Sequence, residues 1–141
     1  MIRYSDSAAG LTPDMLKGFF RGWKKPRTPD EHLEILKNSS HFVLAIDTET
    51  GQVVGFVNAL TDHVQAAFIS LLEVLPEYQH CGIGTELMKR MLDKLKDVPC
   101  VDLTCYPKMQ KFYAKFGMIP TEGMAIRRYL GASDVAARDS G

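Results

Sequence analysis

The sequence has little of the chemistry that marks a metal or disulfide protein. Its three cysteines, Cys81, Cys100 and Cys105, are odd in number and lack the paired spacing of zinc ligands, so they are expected to be free thiols. The four histidines, His32, His41, His63 and His80, share no ligand spacing either, and no metal is expected. Neither sign of charge dominates. Seventeen basic residues balance seventeen acidic ones, which removes the basic surface that a nucleic-acid partner requires. No apolar run approaches the roughly 20 residues of a membrane span, and the opening MIRYSDSAAG lacks the apolar segment of a secretory leader. The reading is therefore a cytoplasmic protein with neither a membrane nor a nucleic-acid partner. What is there, 141 residues of which 45% are hydrophobic, suits one compact core without internal repeats.

The apolar spacing sets out an order of elements. A strand is expected at the N-terminus. Leu16, Phe19, Phe20 and Trp23 recur at helical spacing behind Thr12 as a cap, which predicts a first helix over 13–24. Thr28 and Glu31 form a capping-box pair with Pro29 at the first helical position, predicting a second helix to about Asn38. HFVLAI and QVVGFVNAL read as two strands of a hairpin joined by DTETG. AAFISLLEVL does not alternate cleanly and predicts a central strand covered on both faces. Leu87, Met88, Met91, Leu92 and Leu95 then mark a helix, CVDLTCY a short strand, KMQKFYAKFG a short helix stopped by Gly117, and AIRRYL a last strand. The sum is an α/β fold, a mixed sheet with helices on both faces. The polar stretch 131–141 is expected to be a flexible tail.

Between the fourth expected strand and its helix lies EYQHCGIGTEL, with Gly82 and Gly84 one residue apart. Two readings are open at this point. The glycines could simply form a tight strand-to-helix turn, or they could bring helix N-terminal amides close to an anion such as a phosphate. A nucleotide P-loop is excluded because GxxxxGK[ST] is absent, and the third glycine of GxGxxG is missing too.

VLPEYQHCGIGTELMKRMLDKL resembles the acetyl-CoA-binding motif of the GNAT N-acetyltransferase superfamily, Q/R-x-x-G-x-G/A, with Gln79, Gly82 and Gly84 in register. FYAKFGM, from Phe112 to Met118, is similar to that family's second signature. The resemblance covers roughly residues 1–130 and implies one GNAT-like domain with a mostly antiparallel central sheet. It also implies acetyl-CoA as cosubstrate, with the pyrophosphate on the loop Gln79, His80, Cys81, Gly82, Ile83, Gly84 and Thr85. The pantetheine arm is implied along the main chain of Leu72 to Leu75, and a backbone N–H near Val74 or Leu75 would meet the thioester oxyanion.

The resemblance assigns chemistry to two side chains. Tyr113 matches the tyrosine often used as general acid toward the leaving thiolate, with packing beside Phe112 and Phe116 as its alternative. Glu73, the one charged residue within FISLLEVLP, is the candidate base for the amine proton, its alternative a structurally paired carboxylate. Cys81 is read as a small loop residue and Glu77 as solvated. Where many members carry an asparagine, this chain has Tyr106.

The acceptor is expected opposite the coenzyme, where Phe19, Trp23, Asn58, Asp62 and Tyr106 would line its pocket. As aromatic helix residues Phe19 and Trp23 more often belong to a core than to a pocket wall, and Asp62 is also expected as a turn residue. The partner is a small-molecule or peptide amine, and a homodimer is left open. Two functions are weighed: N-acetyl transfer by direct attack in a ternary complex, and a non-catalytic acyl-CoA-binding or sensing module.

Overall fold

The computed structural model describes residues 1–130, so the expected polar tail at 131–141 lies outside the described residues. The described residues fall into two units, Met1–Cys105 and a second that begins at Tyr106. The first contains β1 (Ile2–Ser5), α1 (Pro29–Asn38), β2 (His41–Asp47), β3 (Val53–Thr61), β4 (Ala66–Val74), α2 (Ile83–Lys94) and β5 (Cys100–Asp102). The strands lie side by side in chain order, antiparallel except for the parallel pair of β4 with β5. The second unit contains α3 (Gln110–Ala114), entered through a 3-10 turn at Pro107–Met109.

Consecutive residues of β3 show how the sheet is covered. Gly55 and Phe56 must point to opposite faces. A Cβ added to Gly55 would lie 3.2 Å from Ile83 Cγ2 and 3.2 Å from Leu87 Cδ1, so α2 packs closely on that face. Phe56 meets Phe19 at 5.1 Å and His32 of α1 at 4.3 Å between ring centroids on the other face. Helices therefore flank both faces. Leu36, Leu44, Phe56, Leu87, Met88 and Met91 are each at most 1% exposed, and each contributes about 1.5–3 kcal/mol by leaving water.

Local signals hold where a local interaction decides. Thr28 Oγ1 accepts the Glu31 N–H at 3.1 Å and Glu31 Oε1 accepts the Thr28 N–H at 3.0 Å, completing the box at the start of α1. Three expectations fail. The helix over 13–24 is only a 3-10 turn at Pro13–Leu16, whose N-cap Thr12 makes no side-chain hydrogen bond. The chain then enters the left-handed region at Gly18, Phe20 and Gly22, which ends any helix. The strand β4 lies between β3 and β5, yet Ala66 and Phe68 are exposed, so its first half is covered on one face only. AIRRYL forms no strand; the Leu130 N–H donates to the Arg127 carbonyl at 3.0 Å in a local turn. Among the described residues no helix is long and apolar enough to cross a membrane.

Candidate active site

The glycine turn is fastened at both ends. After β4, the chain makes a 3-10 turn at Pro76–Tyr78, and the Tyr78 phenol donates to the nearly buried Asp47 carboxylate at 2.6 Å. Gln79 Nε2 donates back to the Val74 carbonyl at 3.0 Å. His80 and Gly82 then adopt positive φ, 64° and 84°, reversing the chain into α2. No side chain caps that helix, and its first internal bond runs from the Glu86 N–H to the Gly82 carbonyl at 3.1 Å. An uncapped N-terminus directs partial positive charge into the turn, which suits a phosphate. Gln79, His80, Cys81 and Gly82 are exposed, Gly84 and Thr85 half-buried. Ile83 is 4% exposed and packs its side chain under the sheet, leaving only its main chain to the turn.

The register of β4 decides which main-chain groups face a ligand. The Leu75 N–H already donates to the Val54 carbonyl at 2.8 Å, so it cannot serve an oxyanion. Gly55 pairs with Val74, Phe56 with Glu73 and Val57 with Leu72. Antiparallel pairing alternates, and Leu75 bonding toward β3 turns the N–H and C=O of Val74 and Leu72 to the opposite edge. There β5 pairs only with Ala66 to Phe68, and no strand among the described residues continues along it. Of the two oxyanion candidates, Val74 keeps the geometry and Leu75 loses it.

Glu73 stands opposite Phe56, on the α1 face. Its Oε1 accepts the Phe20 N–H at 2.8 Å and its Oε2 the Arg21 N–H at 3.4 Å. Burial raises its pKa above the ordinary carboxylate value, outweighing the two N–H groups and the Arg21 charge that pull it down. Phe20 and Arg21 are neighbours of Glu73 that a helical reading of this segment does not bring to it. The signal available is K-G-F-F-R-G-W, in which two glycines interrupt the helical spacing of the aromatic residues.

The other expected acceptor residues scatter. Phe19 is 7% exposed and belongs to the core, in edge contact with Phe56 and His32. Trp23, 48% exposed, rests on Phe20 with centroids 5.0 Å apart. Asn58 is 2% exposed, its amide donating to Ser39 Oγ at 2.9 Å and accepting from Ser70 Oγ at 3.0 Å, so it ties elements together. Asp62 lies at the tip of the β3–β4 hairpin, roughly 20 Å along the strand from Phe56. Its Oδ1 accepts the N–H groups of Val64, Gln65 and Ala66, which hold its pKa down to about 2. It is a turn residue.

In the second unit Tyr113 sits half-buried on α3, its ring 5.0 Å from that of Phe112, which meets Phe116 at 5.4 Å. Gly117, at φ 85°, ends the helical stretch. Tyr106 is 63% exposed with Lys108 Nζ 6.0 Å above its ring.

Solved structures share this fold. A candidate acetyltransferase from Deinococcus radiodurans R1 is 44% identical, with a TM-score of 0.88 over 91% of this chain and 89% of that one. A GNAT family acetyltransferase from Streptococcus pneumoniae is 27% identical, with a TM-score of 0.72 over 91% of this chain and 99% of that one. Among curated proteins, GCN5-related N-acetyltransferase 1, chloroplastic, from Arabidopsis thaliana is 28% identical over 78% of this chain. The chain spans 57% of that relative's length. The Acetyltransferase (GNAT) family pattern matches residues 10–118, which contain the capped α1, the β4 edge, the glycine turn and the Tyr113 helix. An uncapped helix behind a left-handed glycine, at the end of a strand with one free edge, is thus joined to a family match over most of the chain, and the protein belongs to the GNAT acetyltransferase family.

Proposed function

We propose that the protein transfers acetyl from acetyl-CoA to a primary amine by direct attack in a ternary complex, within a domain spanning residues 1–130. The observation that carries this reading is the Val74 N–H, turned to an unpaired strand edge immediately before the glycine turn. The pyrophosphate would sit on the main chain of Gln79 to Thr85, and the amide-bearing pantetheine arm would pair with Leu72 and Val74 as an added strand. The amine nitrogen attacks the thioester carbonyl, and the Val74 N–H meets the oxygen as it gains charge. Glu73, directly or through one water, takes the proton that the nitrogen sheds. The carbon–sulfur bond then breaks, and Tyr113 protonates the departing thiolate. The cytoplasm is the proposed location, with a small-molecule or peptide amine as the partner.

One observation favours a second reading. Both Glu73 oxygens already receive backbone N–H groups, as in a carboxylate that serves structure, and an acyl-CoA-binding module needs no base. Following free-thiol release from acetyl-CoA across alkyl amines, aryl amines and peptide N-termini separates the two. Amine-dependent thiol release is the expected result. Tight acetyl-CoA binding with no release for any acceptor class would establish the binding module.

A further inference from the structure

The loop over Glu73 has an unusual construction. Gly18 and Gly22 take φ of 95° and 82° without a side chain to clash, whereas Phe20 takes φ 64° with a bulky one. A strained residue persists only where its surroundings fix it. The Phe20 ring is 3% exposed and meets His32 at 4.9 Å, Trp23 at 5.0 Å and Phe56 at 6.2 Å between centroids. Phe56 is the residue opposite Glu73. His32 is fully buried, and neither of its ring nitrogens has a hydrogen-bond partner among the described residues.

We propose that Phe20 is the positioning residue for Glu73: its ring, seated on His32 and Phe56, holds the backbone in the left-handed turn that aims the Phe20 and Arg21 N–H groups at the carboxylate. The loop is then a latch, and an ammonium-bearing acceptor gains the carboxylate by displacing these two donors. This role rests on the proposed reaction, in which Glu73 receives the acceptor's proton. Release takes away the two N–H groups that lower the Glu73 pKa while its place opposite Phe56 on β4 keeps it buried, so the open loop binds the proton more tightly than the closed one and loss of the carboxylate's charge releases the loop. The charged group bearing on Glu73 is Arg21, on the loop itself, and the titratable group packed behind Phe20 from α1 is His32.

Trp23, the single tryptophan of the chain, stands on this loop against Phe20 and reports its release without any acceptor. Acrylamide quenching of Trp23 should rise in the whole protein as pH is lowered, with a midpoint above the ordinary Glu value of 4.5 because burial raises the Glu73 pKa. Glu73→Gln should abolish that transition. His32→Leu should keep it, which separates it from His32, held down to about 4. Phe20→Gly permits the left-handed backbone but removes the ring that holds it there, and should show high quenching at neutral pH with no further rise in acid, whereas mere loss of the ring contact on Trp23 would raise the baseline and keep the transition. Quenching that stays flat in wild type, a transition that survives Glu73→Gln, or wild-type quenching in Phe20→Gly would each overturn the latch. A transition lost in Glu73→Gln alongside undiminished amine acetylation would support the latch and overturn the role of Glu73 as base.

Discussion

Replacing His32 by leucine should make the protein more stable and remove most of its sensitivity to mild acid. His32 is 0% exposed, enclosed by Phe19, Phe20 and Phe56, and both ring nitrogens lack partners among the described residues. A buried polar group without a hydrogen bond costs about 1–3 kcal/mol, so a leucine of similar size should gain about 1 kcal/mol at neutral pH. The same burial lowers the His32 pKa from 6.5 to about 4. Between those values the unfolded chain binds the proton more tightly than the fold does. The contribution is therefore fully present above the unfolded value and is lost as pH falls through the window. From about pH 7 to about pH 5 the loss is about 2 kcal/mol, within a ceiling of about 3 kcal/mol. Urea denaturation followed by circular dichroism at both pH values measures it directly. With a slope of about 2 kcal/mol per molar urea, the wild-type midpoint should fall by about 1 M more than that of His32→Leu. Parallel pH profiles in the two proteins would refute the reasoning, because His41 and the carboxylates titrate alike in both.

The remaining predictions concern the sheet and the proposed chemistry. Gly55→Ala places a methyl 3.2 Å from Ile83 and Leu87 and 3.4 Å from the Glu73 carbonyl, so it should cost about 1–3 kcal/mol, measured as a lowered urea midpoint. Gly84→Val crowds the main chain at the start of α2 and should weaken acetyl-CoA binding by about tenfold or more in calorimetry; unchanged affinity would move the pyrophosphate elsewhere. Tyr113→Phe should keep acetyl-CoA affinity and lower kcat by about 10²–10⁴-fold, whereas full turnover with chemistry shown to be rate-limiting would leave Tyr113 a packing residue. Glu73→Gln should lower kcat/KM for alkyl amines more than for aryl amines, which are already neutral. Because the folded Glu73 pKa is raised above 4.5, its contribution to stability is present in acid and lost as pH rises through the raised value. Denaturation of Glu73→Gln should therefore lack that loss.

Features decided within a few residues were legible in the sequence. The Thr28–Glu31 box, the Pro29 entry and the helix behind Gly82 depend on neighbours three or four positions away, and the structure contains all three. The segment after Leu16 was illegible because its amides bond to Glu73, about fifty positions downstream, and no local pattern announces that partner. The same holds for His32: a lone histidine in a helix shows its cost only once three aromatic rings enclose it. Between Val74 and Leu75 the sequence had no means of choosing. Adjacent residues of a strand direct their N–H groups to opposite edges, so the choice waits for one cross-strand bond, Leu75 N–H to Val54 carbonyl.

The side to which Glu73 points depends on a single extra residue. Ala59 pairs with Ile69 but Asn58 pairs with Leu71, leaving Ser70 as a bulge in β4. Without it the register would continue as Asn58 with Ser70, Val57 with Leu71, Phe56 with Leu72 and Gly55 with Glu73. The carboxylate would then face α2, where a methyl on Gly55 already lies 3.2 Å from the apolar side chains of Ile83 and Leu87. With the bulge, Glu73 opposes Phe56 and meets the Phe20 loop, while Val74 turns its N–H to the free edge. A carboxylate on one face and an amide donor at the edge are thus fixed relative to each other by consecutive residues of one strand. Asn58 helps to hold this arrangement in place: Ser70 Oγ donates to its carbonyl, its amide donates to Ser39 Oγ, and Ser39 Oγ donates to the Ile35 carbonyl of α1. Buried and bonded through both its amide oxygen and its nitrogen, Asn58 bears on the proposed chemistry through the register of β4, and a substitution there should be felt at Glu73 without any contact to the acceptor.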